Sequence, residues 1–205
     1  SLLGDEWWMV RSARHDIGVY LDLAAAFADD ETPAVTDAVA GRLSYAGGYI
    51  ADAGERATFQ AWVRERFGPA LNALGLPGPA GDADDRHSRR ATLLSLVGVT
   101  GNDQELQRRA RALAVEYIAN PASLSPTLAP TVLQVAAVSG DRALYDRYRA
   151  QLEAHANQPE EYYRYFGALS WFSDPALTMQ SLELAVSPAV RTQDTGTLIG
   201  GLLAR

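Results

Sequence analysis

The residues able to do chemistry are few and scattered. Three histidines, His15, His87 and His155, lie far apart, and none belongs to His-Glu-x-x-His or a comparable ligand spacing. Asp84, Asp85 and His87 come nearest to a metal cluster. They sit just before a helical run, however, where carboxylates favour the helix N-terminus and need no ion, so no metal site is expected. No Gly-x-Ser-x-Gly elbow is present to expose a nucleophilic serine. Gly47-Gly48 and Gly200-Gly201 lack the lysine and the longer glycine pattern of a phosphate loop. The chain has no cysteine, which removes disulfides, thiolate ligands and thiol nucleophiles together. What remains is arginine. Arg86, Arg89 and Arg90 could clamp an anionic group with paired hydrogen bonds, but beside Asp84 and Asp85 they read first as a solvated helix face. No complete catalytic constellation is visible.

The elements that would position these residues are helices. Leu106, Ala110, Leu113 and Tyr117 recur at helical spacing, as do Leu144, Tyr148 and Leu152, and Tyr162, Phe166 and Leu169. No β-branched alternation of strand length occurs. Thr32-Pro33 and Gln158-Pro159-Glu160-Glu161 read as helix starts, and the tail from Pro188 through Arg191, Gln193 and Asp194 reads as one more. Turns at Gly101-Asn102-Asp103, Ser139-Gly140-Asp141 and Ser173-Asp174-Pro175 recur at roughly the 34–47-residue interval of solenoid repeats. The pattern predicts an all-α fold of antiparallel helix pairs stacked as a HEAT/ARM-like α-solenoid over residues 1–205, one domain. A Pro- and Gly-rich loop near residues 76–87 would connect two helical subsets, with helix resuming near Ser88.

Composition bounds the rest. Apolar residues make up 47% and charged residues 21%, the balance of a globular protein. A net charge of −7 argues against nucleic acid as a partner, since phosphate binding needs an excess of basic residues. No run approaches the ~20 apolar residues that span a bilayer, so no membrane role is expected, and no signal peptide is visible. These features point to a cytoplasmic protein. The chain has arginine and no lysine, which with the abundant alanine reads as the codon bias of a GC-rich bacterial genome.

Five segments carry a resemblance. "LLGDEWWMVRSARHDIGVYLDL" (Leu2–Leu23), "FQAWVRERFGPALNALG" (Phe59–Gly75), "DDRHSRRATLLSLVGVTGNDQ" (Asp84–Gln104), "AVSGDRALYDRY" (Ala137–Tyr148) and "DPALTMQSLELAVSPAVRTQD" (Asp174–Asp194) occur in this order. Together they resemble the C-terminal helical domain of aminopeptidase N-type gluzincin peptidases, the puromycin-sensitive and endoplasmic-reticulum aminopeptidases among them. The resemblance implies a HEAT-like superhelix. It also implies a role in which the domain encloses the active-site chamber and helps to gate and position peptide substrates of a parent zinc aminopeptidase. Its partners would be the catalytic domain of the same parent chain and the peptide. Zinc, His-Glu-x-x-His and Gly-x-Met-Glu-Asn would lie elsewhere in the parent, so no catalytic or metal-binding residue and no cofactor is assigned to this chain, which would be inactive alone.

Arg191, Gln193 and Asp194 match the family's Arg-x-Gln-Asp pattern. Gln193 and Asp194 are expected to satisfy donors at a helix start, and Arg191 is a candidate contact for substrate. The competing reading is a free-standing α-solenoid scaffold that binds protein or peptide on its concave face. Apolar residues near both ends (Trp7, Trp8 and Val10; Leu198, Ile199, Leu202 and Leu203) do not look like polar caps. They favour a piece of a larger chain and predict self-association.

Overall fold

The computed structural model describes residues 1–79 and 81–203. Ala80, inside the expected loop, and Ala204 and Arg205, at the end of the expected last helix, lie outside the described residues. Among the described residues there are helices and no strand. The chain divides into two compact units, Ser1–Asp103 and Gln104–Arg205. The Pro/Gly loop lies within the first unit and not at this boundary.

In the first unit, α1 (Leu2–Arg11), α2 (Ile17–Ala26), α3 (Pro33–Tyr49), α4 (Arg56–Leu74) and α5 (Asp84–Ser95) precede a π-helical turn, Leu96–Thr100. Helix starts follow side-chain chemistry. The Asp16 carboxylate accepts from the Gly18 N–H at 2.7 Å to open α2, and Pro33 takes the first turn of α3, where its missing N–H costs nothing. α5 opens at Asp84, earlier than Ser88. Extended backbone at Ala83 ends the loop, and Asp84 and Asp85 fall in the first turn, where their charge complements the helix dipole. α1 packs on α2, and α3 and α4 both pack on α5 and its π-turn, around Tyr20, Val39, Leu43, Val63, Phe67, Leu93 and Leu94.

Arg90 is wholly buried at the centre of the loop. Its guanidinium donates to Gly75 O and Leu74 O, each at 2.9 Å, to the Asp82 carboxylate, and to His87 Nδ1 at 3.2 Å. Gly78 passes so close that a Cβ there would lie 2.2 Å from Arg90 Nη2, and its φ of +88° independently favours glycine. The loop is therefore fastened onto the helices around one cation.

The second unit contains α6 (Gln104–Ala119), α7 (Ala129–Val138), α8 (Arg142–Ala154), α9 (Pro159–Ala168), α10 (Pro175–Ala185) and α11 (Thr192–Leu203). Short 3-10 turns occur at Pro121–Ser123 and Leu169–Trp171. Asp141 caps α8 by accepting from Leu144 N–H at 3.0 Å, and Asp174 caps α10 through Ala176 and Leu177. Helices pack in successive pairs, α6 with α7, α8 with α9 and α10 with α11, and α7 also meets α9. Tyr148, Tyr165, Phe166 and Phe172 fill the interior, with the Tyr148 hydroxyl donating to Leu133 O at 3.0 Å. Burial pushes the Tyr148 and Tyr165 hydroxyls well above the ordinary phenol range, so both stay neutral.

Candidate functional site

The Arg-x-Gln-Asp segment opens α11, as its residue types dictate, but the work is divided differently from the sequence expectation. Arg191 contributes its backbone: its carbonyl accepts from Asp194 N–H at 2.8 Å and Thr195 N–H at 3.2 Å. The Asp194 side chain, only 7% exposed, takes the Tyr163 hydroxyl, which lies 3.1 Å from each carboxylate oxygen. Gln193 is exposed. The segment thus ties the start of α11 to α9 through one tyrosine–carboxylate bond.

The Arg191 side chain is exposed and lines a cleft of about 210 Å³ with Ala156, Pro159, Tyr162, Tyr163 and Ala189. The aromatic wall comes from the first turns of α9. Tyr162 stacks on Phe166 with centroids 5.5 Å apart and meets Tyr163 edge-on at 5.3 Å, while Tyr165 and Phe166 turn into the core. The Tyr162 hydroxyl is raised above its ordinary value, first by burial and then by the Asp194 and Tyr163 charges, with Arg191 acting in the opposite sense. A cation over apolar and aromatic walls is suited to holding a carboxylate.

Next to this cleft on α9, Arg164 bonds Glu160, Glu161 and the Tyr117 hydroxyl, the last at 2.6 Å, and Tyr117 donates to Glu161 at 2.9 Å. Burial first, and then the Glu161 bond, raise the Tyr117 hydroxyl. This network consumes its own charges and reads as a brace between α6 and α9. The Arg164 pairs with Glu160 and Glu161 are local to α9, but Tyr117 lies 44 residues from Glu161, so no local signal announces the link to α6.

The remaining candidates separate. Arg86 pairs with Asp82, not with Asp84 or Asp85, and Arg89 and Arg90 are buried rather than solvated. His15 bonds Glu6 at 2.6 Å, His87 meets Arg90, and His155 meets Gln151 O at 2.9 Å. Among the described residues no group of three or more His, Cys, Asp and Glu side chains is placed to hold a metal ion. Trp7 packs edge-on against Tyr20 and Tyr45, and Trp62 packs against Phe59 and Phe67, as packing anchors should. Trp8 is 72% exposed, and Leu2 and Leu203 are exposed too, whereas Leu198 is buried.

The chain belongs to the ERAP1-like C-terminal domain family, which matches residues 1–205. It is therefore a domain of the aminopeptidase class, whose parent acts on peptides through a catalytic domain in the same chain. No helix of the described residues is long and apolar enough to cross a membrane.

Proposed function

We propose that this domain covers the catalytic chamber of a zinc aminopeptidase and holds the far end of the peptide while the N-terminal residue is removed. In this reading the helix pairs stack as a HEAT-like superhelix whose opening and closing gates entry. Such a motion separates the reaction from bulk water. Arg191 supplies the contact to the peptide. The observation carrying this is its placement: an exposed guanidinium in a cleft walled by Tyr162, Tyr163 and Pro159, next to an Asp194 already engaged by Tyr163. A guanidinium in that position is available to a peptide carboxylate, which it can bind with two charge-assisted hydrogen bonds. Zinc would polarise the scissile carbonyl and activate water in the catalytic domain, and this chain would contribute only positioning and enclosure.

The test is a peptide-length profile. In the full parent enzyme, kcat/KM is measured for a series from dipeptides to dodecapeptides, with and without Arg191→Ala. The proposal expects the variant to lose rate on long peptides and to match the parent on dipeptides, which cannot reach the cleft. An unchanged profile together with a lower melting temperature would assign Arg191 to stability alone.

A further inference from the structure

The first unit holds a second cavity, of about 410 Å³, whose wall carries both signs of charge. Arg89 on α5 and Arg86 one turn before it line this space with Glu31, Thr32 and Pro33 at the start of α3; Leu74 and Asp85 are also in the wall. The volume lies within the range of small-molecule sites, roughly 300–1,000 Å³.

Arg89 is the unusual member. Its side chain is 93% buried by the 7% exposure it retains, yet it bonds Ala28 O at a long 3.3 Å and its Nε has no partner. A guanidinium carries five donors; Nε is sealed inside, but the one long bond to Ala28 O leaves donors on the terminal nitrogens to spare for a ligand's oxygens at the cavity wall. The Asp30 carboxylate feels the Arg89 charge, but it accepts from Thr32 N–H at 2.8 Å, and that bond is the main cause of its lowered pKa. Beside Arg89, α3 begins without a side-chain cap. Val35 and Thr36 donate to the Thr32 carbonyl, and the Thr32 hydroxyl takes no helix N–H. That end of a 17-residue helix is the positive pole of its dipole and favours a carboxylate.

Glu31 and Asp85, both exposed, add negative charge to the same wall. They oppose a multiply charged oxyanion such as phosphate and attract an ammonium group. Leu74 and Pro33 supply apolar surface. We propose that this cavity binds a free neutral α-amino acid, with its carboxylate on Arg89 and the α3 N-terminus, its ammonium toward Glu31 and Asp85, and its side chain along Leu74 and Pro33. Free amino acids are the chemical class that an aminopeptidase releases, so an occupied cavity reports product level to this domain. That consequence rests on the parent-enzyme reading; the binding itself does not.

The test is calorimetric titration of the full 205-residue chain with L-leucine, N-acetyl-leucine (no ammonium), leucinamide (no carboxylate) and inorganic phosphate. The expected result is saturable one-to-one binding of leucine, weakened about tenfold or more in both derivatives and in Arg89→Gln and Glu31→Gln. Glu31 is exposed, so its variant decides the matter even if Arg89→Gln disturbs folding. Absence of saturable leucine binding overturns the proposal, as does wild-type affinity in Glu31→Gln, or phosphate binding as tightly as leucine. None of these outcomes touches the peptide-length test of the parent enzyme, so the two readings fail separately.

Discussion

Arg90 and Arg191 both lie within the resembling segments, Arg90 midway along α5 and Arg191 just before α11. In the structure their surroundings are opposite. Arg90 has no exposed surface, is encircled by two backbone carbonyls, a carboxylate and a histidine, and sits where Gly78 leaves no room for a side chain. Arg191 uses its carbonyl to start α11 and leaves its guanidinium at the edge of a tyrosine-walled cleft. The first arginine is spent on folding, and the second keeps its guanidinium exposed. Burial and the number of committed acceptors separate the two roles, and neither is a property of residue type.

Substitutions sharpen this contrast in order of size. Arg90→Met should destabilise most, because it strands the Leu74 and Gly75 carbonyls and removes the fastening of the loop. A loss of about 3 kcal/mol or more is expected in denaturant unfolding, and a loss below about 1 kcal/mol would contradict the structural role. Gly78→Ala comes next. Its positive φ and the Arg90 contact should together cost about 1–3 kcal/mol, read from the shift in unfolding midpoint. In the second unit, Tyr163→Phe removes the hydroxyl that satisfies Asp194 and should cost about 1–2 kcal/mol. Arg191→Ala, by contrast, should leave unfolding unchanged within about 0.5 kcal/mol.

The pH dependence follows from the helix cap at Asp141. The Arg111 guanidinium at 2.6 Å, and then the Leu144 N–H, hold this carboxylate below its ordinary value. A depressed acid contributes stability above its unfolded value of about 3.9, and that contribution disappears as pH falls through the lower folded value. Asp141→Ala should therefore cost about 1 kcal/mol at neutral pH through the lost cap and remove part of the acid-induced loss below about pH 4. Acid titration monitored by circular dichroism checks this, and an acid limb identical in the variant would contradict it.

Much of the fold was legible because helices announce themselves locally. Apolar spacing marks α6, α8 and α9, the turns at Gly101–Asp103 and Ser139–Asp141 fall between elements as expected, and Ser173-Asp174 does so with Pro175 opening α10. The start of α5 at Asp84 is not legible in the sequence, because a loop and a first helical turn both welcome aspartate, and only the extended Ala83 separates them. Arg191, Gln193 and Asp194 were marked as a group by the family pattern. Their division into backbone cap, exposed side chain and tyrosine partner was not legible, since Tyr163 lies 31 residues away and helix rotation decides which ring reaches Asp194. The same reason hides Arg89 and Arg90: arginines beside acids look solvated until the chain before α3 covers one and the Pro/Gly loop closes over the other.

The central claim is that Arg191 meets the far carboxylate of a peptide, and one kinetic comparison tests it directly. In the full parent enzyme, KM is measured for a long peptide as its free acid and as its C-terminal amide, each with native Arg191 and with Arg191→Ala. The account predicts that the native enzyme prefers the acid by about tenfold and that the variant treats the two alike, because the charge-assisted pair is gone. An acid preference that survives in Arg191→Ala, or none in the native enzyme, would contradict it.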